Sequence, residues 1–163
     1  MELLRHGNSR GLEELVGENP SAARFLQGRL WDSDPEIQQR AAVALGAAAA
    51  VHPDLGREVL RRALWAINDE SATNGGPMLA AVGEIGRRSP DLVEPFVGPM
   101  TAYLWDEGLK SGILNALCRI AEAAPELIEE VRDRLLAIKA DDTGEQECLD
   151  YLLTVNRECV DGE

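Results

Sequence analysis

The side chains best suited to covalent chemistry are few and scattered. The two histidines, His6 and His52, have no serine or cysteine nucleophile at a short, recognisable spacing, so no Ser–His–carboxylate or Cys–His set is legible along the chain. The three cysteines, Cys118, Cys148 and Cys159, lack the paired short spacings of a zinc ribbon or a disulfide framework. Cys148 and Cys159 are eleven residues apart. On one continuous helix that separates them by roughly 16 Å, too far for a direct disulfide, and core thiols are expected. Asp141-Asp142-Thr143-Gly144-Glu145 is acidic but lacks the spacing of a calcium loop; it is expected to end one helix and start another, with Asp or Thr as the cap. No catalytic residue, metal site or cofactor is expected.

Binding chemistry is better represented. Trp31, Trp65 and Trp105 each follow a leucine, and each is trailed by acids: Asp32, then Asp69 and Glu70, then Asp106 and Glu107. One reading makes the three indoles an aromatic row that grips a peptide or planar ligand. The other places them about 100° round the helix from the core leucine, stapling adjacent units with the indole N–H on a turn carbonyl; this second placement is the expectation. Residues 68–77 form a polar stretch with Asn74, Gly75 and Gly76 before Pro77. The glycines would let the backbone approach a ligand, but no Gly-Lys-Ser/Thr follows, and Asp69 and Glu70 oppose an anion. An irregular turn is the plainer reading.

These residues are positioned by a repeat. Leu30-Trp31-Asp32, Leu64-Trp65 and Leu104-Trp105-Asp106 recur, as do His52-Pro53-Asp54-Leu55, Ser89-Pro90-Asp91-Leu92 and Ala124-Pro125-Glu126-Leu127; Asn19-Pro20-Ser21 is a weaker copy. Eight residues before the prolines at 53, 90 and 125 lie Leu45, Val82 and Leu117. Seven before lie Gly46, Gly83 and Cys118, and four before lie Ala49, Gly86 and Ala121. A large apolar residue followed by two small ones marks a helix face that a neighbouring backbone approaches closely. Proline stops one helix, and the acid after it suits the first turn of the next. A helices are therefore expected at 21–31, 54–67, 91–105 and 126–139, with Val93, Val97, Met100 and Leu104 at helical spacing and Phe96 beside them. B helices are expected at 35–51, 77–88, 109–123 and 145–157, after an opening helix at 11–18. Along the B helices Glu84 falls beside Arg119, and Arg87 beside Glu122, which predicts two inter-repeat ion pairs, each worth under roughly 1 kcal/mol if exposed.

Composition agrees with helices. Apolar residues make up 45% of the 163-residue chain but aromatics only 4%, so the core must be aliphatic and alanine-rich. The formal charge is −13. Residues 1–67 carry 8 basic and 9 acidic side chains, and the remainder carries 8 and 20. Such a surface repels phosphates and anionic lipid, which argues against nucleic acid and membranes as partners, and it permits a basic protein partner. The N-terminus lacks a signal-like apolar run, and the longest apolar run, Ala41 to Val51, is too short to cross a bilayer; a reducing cytoplasm is expected.

Leu30-Trp31-Asp32-Ser33-Asp34-Pro35-Glu36-Ile37 followed by Ala41-Ala42-Val43-Ala44-Leu45-Gly46 resembles the HEAT-like repeat family, including bacterial phycobilisome-lyase-like members. In that family an Asp-Pro-Glu-Val-Arg turn precedes an Ala-rich helix ending Ala-Leu-Gly. Here Ile37-Gln38 stands for Val-Arg, so the arginine is absent. The resemblance covers roughly residues 20–140 and implies an all-α, right-handed α-α superhelix of the HEAT/armadillo type with about four hairpins. The expected organisation is one domain over 1–163: a half-repeat cap at 1–19, repeats at 20–53, 54–90, 91–125 and 126–159, and a frayed tail at 160–163. It also implies a non-catalytic protein-interaction scaffold. Analogy with HEAT-like bilin lyases supplies the alternative, an enzyme or enzyme accessory, while HEAT-like DNA glycosylases need a cationic groove that this chain lacks. Binding candidates are Trp31, Trp65, Trp105, Asp69, Glu70, Asn74, Glu84, Arg119 and Glu122. An imperfect cap at either end would favour a homodimer.

Overall fold

A computed structural model of the chain describes residues 4, 7, 9–19, 21–68 and 75–155. Among these it contains ten α-helices and no strand: α1 Ser9–Glu18, α2 Ala22–Arg29, α3 Pro35–Val51, α4 Pro53–Asn68, α5 Gly76–Arg88, α6 Pro90–Thr101, α7 Glu107–Ala121, α8 Glu126–Glu129, α9 Arg132–Ala137 and α10 Thr143–Thr154. None is long and apolar enough to cross a membrane.

Local chemistry sets most helix starts. Prolines stand in the first turn of α3, α5 and α6, where a missing N–H costs nothing. Asp34, Asp106 and Asp142 cap α3, α7 and α10, accepting hydrogen bonds from Glu36 N (2.9 Å), Gly108 N (2.8 Å) and Glu145 N (2.8 Å). In α10 the Glu145 carboxylate turns back to accept from Asp141 N at 2.8 Å, closing a capping box one residue wider than usual. The acidic 141–145 segment is thus a helix start.

Helices α3, α5, α7 and α10 lie side by side as an inner file, and α2, α4, α6 and α9 run along its outside, with α1 packed on α3. Contacts Leu79 to Gly112, Gly83 to Ala116 and Gly86 to Ile120 rise together in number, so α5 and α7 run parallel. Small residues bring the inner helices close. A Cβ on Gly46 would lie 2.7 Å from the Glu84 carbonyl oxygen, and one on Gly83 would lie 3.0 Å from the Ala116 Cα. The first is shorter than packed atoms tolerate, so glycine is required at 46; at 83 a side chain would force the neighbouring backbone to give by a few tenths of an ångström. Leu45, Val82 and Leu117 fill the core behind this seam, which continues from Leu4 to Leu152 as one apolar cluster. At the third interface Cys118 replaces the glycine.

Two expectations change. The fourth outer helix, expected unbroken over 126–139, is interrupted at Val131 (φ −113°, ψ 6°) between α8 and α9. Glu126, Glu129 and Glu130 are like charges at helical neighbour spacing, which weakens a continuous helix there. The third outer helix ends at Thr101 instead of 105, and its last turn tightens into i→i−3 bonds at Ala102, Tyr103 and Leu104. Gly75 packs against backbone of the same hairpin, with a Cβ placed there only 2.8 Å from Ala66 and Ile67, so its lack of a side chain serves the turn, in line with the plainer reading of this stretch. Helix α5 does begin late, at Gly76–Pro77. Asp69, Glu70 and Asn74 lie outside the described residues.

Candidate functional site

Two surfaces collect the residues that the sequence singles out. The first is a groove of about 720 Å³ across the inner file, walled by Gln38 and Gln39 of α3, Gly83 and Glu84 of α5, and Asn115 and Arg119 of α7. Close packing at Gly46 pushes Glu84 out of water, leaving it 1% exposed. A carboxylate so buried needs partners on every side. Arg87 supplies Nε and Nη2 to its Oε2 at 3.2 and 3.0 Å, while Arg119 Nε and Gln39 Nε2 approach Oε1 at 3.3 and 3.4 Å. Arg119 Nη1 also donates to Glu122 at 2.8 Å, and Arg87 Nη1 lies 3.8 Å from Glu122. Both expected cross-helix pairs form, as one four-membered network. The Glu122 carboxylate, with Glu84 behind it, holds the Arg119 guanidinium above its ordinary pKa. Two carboxylates face two guanidiniums, so the groove neutralises its own charge.

One wall of the groove reaches Cys118. Its Sγ lies 3.9 Å from the Cys148 carbonyl oxygen, and Cys148 Sγ lies 3.5 Å from Asn115 Oδ1. Both thiols are free and half-buried, and Cys159 is outside the described residues. Burial first, then the hydrogen bond with Cys148, pushes the Cys118 thiol up to about 12. It is therefore protonated at neutral pH and a poor nucleophile. Cys148, expected as a core thiol on the same helix as Cys159, is instead half-buried and lies against Cys118 across two helices. His52 is also structural, its Nε2 lying 2.9 Å from the Gly17 carbonyl oxygen at the end of α3. Among the described residues no three His, Cys, Asp or Glu side chains are placed to hold a metal.

A buried cation escaped the sequence reading. Lys110, in the first turn of α7, stays beneath the surface. Its Nζ is hydrogen-bonded to Asp141, donates to the Lys139 carbonyl at 3.1 Å and lies 3.3 Å from Glu145. The Asp141 bond is the main reason that its pKa is raised. The signal was present: Lys110 falls on the apolar stripe of Leu109, Ile113 and Leu114, where a cation demands a counter-charge. The cluster fastens α10 to α7.

The second surface holds the tryptophans, and at Trp65 and Trp105 the expectation of core-edge staples fails. Trp65 and Trp105 are 74% and 75% exposed, and Trp31 is 44% exposed. The leucines beside them turn inward, Leu30 and Leu104 being buried and Leu64 partly buried, and the next residue is turned outward. Leu135 and Leu136 repeat the pattern at the end of α9, the first buried and the second 60% exposed. The outer helix ends carrying these residues are tied together. Arg62 Nη1 donates to Gln27 at 3.0 Å, the Tyr103 hydroxyl is hydrogen-bonded to Asn68, and Arg134 Nη1 donates to Thr101 Oγ1 at 2.7 Å. The helix ends that carry Trp65 and Trp105 are thus neighbours, joined by the Asn68–Tyr103 hydrogen bond. Asp34, Glu36, Glu107, Asp141 and Asp142 are exposed on the same turns. Compared with known proteins, the chain matches no family model, and no curated protein is significantly similar to it.

Proposed function

We propose that this chain is a HEAT-like helical-repeat scaffold, a right-handed α-α superhelix of about four hairpins without catalytic activity of its own, that docks a basic protein partner along its aromatic turn edge. The observation that carries the reading is the exposure of Trp65 and Trp105 on neighbouring, mutually bonded helix ends. A large apolar side chain left in water forgoes roughly 1.5–3 kcal/mol of burial, and tryptophan is the residue most enriched at interface hot spots. The acids on the adjoining turns set the sign of the partner. Arg61 and Arg62 lie one turn below Trp65, and Arg62 is ion-paired with Glu58, so a cationic partner approaches from the turn side. The groove is the weaker candidate because its charged groups already satisfy one another.

The test is affinity capture from the native lysate with the wild-type chain and with W65A/W105A, after circular dichroism shows that both fold alike. Partners lost by the variant, and released as salt rises, support the edge. Identical partners on both proteins would remove it, and a retained small molecule or chromophore would favour the enzyme-accessory alternative.

A further inference from the structure

We propose that Cys118 and Cys148 form a reversible disulfide by exchange with a low-molecular-weight disulfide, a modification site that fastens α10 covalently to α7.

Register comes first. Gly46, Gly83 and Cys118 hold equivalent positions, seven residues before the prolines at 53, 90 and 125. At the first two positions one inner helix closes on the backbone of the next: a Cβ on Gly46 would lie 2.7 Å from the Glu84 carbonyl oxygen, and one on Gly83 would lie 3.0 Å from the Ala116 Cα. Cys118 continues this seam, its Sγ lying 3.9 Å from the Cys148 carbonyl oxygen. Cys148 reaches back, its Sγ 3.5 Å from Oδ1 of Asn115, which lies one turn before Cys118 on α7. Each sulfur therefore meets the other's helix, and the two thiols are hydrogen-bonded to each other. A disulfide needs backbones that approach closely and side chains that converge, which is what this seam supplies.

The exchange balances in two steps. The Cys148 thiolate attacks one sulfur of the small disulfide, whose S–S bond breaks; a mixed disulfide forms on Cys148, and the departing thiolate takes up the proton that Cys148 gave up. Cys118 then attacks the Cys148 sulfur, closing the protein disulfide and releasing the second small thiol with the Cys118 proton. Two protein thiols are oxidised, and one small disulfide is reduced to two thiols. Cys118 is unsuited to the first step because burial, then its hydrogen bond to Cys148, keeps it protonated. Once Cys148 is in the mixed disulfide, that hydrogen bond and the Cys148 negative charge are gone, while the nearby Arg119 guanidinium still favours the Cys118 thiolate. The attacked sulfur also lies beside it, so the second step is intramolecular. The new bond falls midway along α10 and closes a loop that carries α8 and α9, which restrains the unfolded chain.

The test incubates the full chain with oxidised glutathione at about pH 8, where thiol exchange proceeds, then alkylates the remaining thiols and maps peptides without reduction. A Cys118–Cys148 cross-link is expected, with a rise in Tm of about 5–10 °C and slower hydrogen exchange in α10, all reversed by dithiothreitol. C118S is expected to stop at a mixed disulfide on Cys148, and C148S to leave Cys118 unmodified; neither gains in Tm. The wild-type map decides the matter even if a variant fails to fold. Thiols that stay free, a mixed disulfide that persists on wild-type Cys148, a cross-link to Cys159 in place of Cys118, or a Cys118–Cys148 cross-link without the rise in Tm would each overturn the inference.

Discussion

At the scale of single residues, the small positions divide into those that hold the fold and those that do not. Gly46 and Gly83 abut neighbouring backbone, whereas a Cβ on Gly28, in the last turn of α2, meets nothing within 4 Å. G46A is therefore expected to destabilise by about 1–3 kcal/mol through overpacking, and G28A to stabilise by about 0.5–1 kcal/mol through helix propensity. Urea denaturation of the two variants checks both signs. Cys118 gives a second prediction. Its folded thiol titrates near 12 against an ordinary value of 9.0, so the folded state keeps a proton that the unfolded chain loses. The resulting stabilisation is present below pH 9 and disappears as pH rises towards 12. Alkylation of Cys118 at pH 8, mapped by mass spectrometry, should be slower by about a hundredfold in the native chain than in urea; equal rates would show that its environment leaves the thiol unperturbed.

At the scale of elements, the Glu84 network separates what the sequence discloses from what it hides. The Glu84–Arg119 and Arg87–Glu122 pairs were legible by counting back from Pro90 and Pro125, because residue offsets along packed helices are fixed by helical geometry. The burial of Glu84 was not legible, because it depends on Gly46 of another helix drawing α3 against it. Trp65 and Trp105 depart from expectation for a related reason: one residue of rotation in a final turn decides between core edge and solvent, and no offset fixes it. Lys110 was legible as a cation on an apolar stripe, but its partners lie across a turn whose path the sequence does not give. Burial has an energetic consequence. E84A should cost about 3 kcal/mol, the lower end for breaking a buried pair, since Arg87 and Arg119 keep partial access to water. E122A, at a side chain 40% exposed, should cost under roughly 1 kcal/mol. Equal losses in chemical denaturation would mean that the network acts as a surface feature throughout.

At the scale of the whole molecule, charge and packing oppose each other along the chain. Residues beyond 67 hold 20 of the 29 acids, and self-repulsion there favours opening. The inner file is also looser at that end, because Cys118 stands where glycine lets α3, α5 and α7 close up. Beside the buried Leu149 and Leu152, the Lys110 cluster with Asp141 and Glu145 is the ionic tie that holds the start of α10. Native-state hydrogen exchange should therefore show α10 opening before α3, α5 and α7, with its protection rising as salt goes from about 10 mM to about 0.5 M and screens the repulsion. The pH dependence has a definite sign. Lys110 has a folded pKa above its ordinary 10.5, so its stabilisation is complete below that value and is lost as pH rises through the raised one. Protection of α10 should then fall at alkaline pH ahead of the rest of the chain. K110M, which keeps the length of the side chain without its charge, should remove the alkaline step and leave α10 exchanging faster at neutral pH by on the order of tenfold. Simultaneous exchange of all the inner helices, at every pH and salt concentration, would show instead that the chain opens as one cooperative unit and that the cluster is not what holds its last helix.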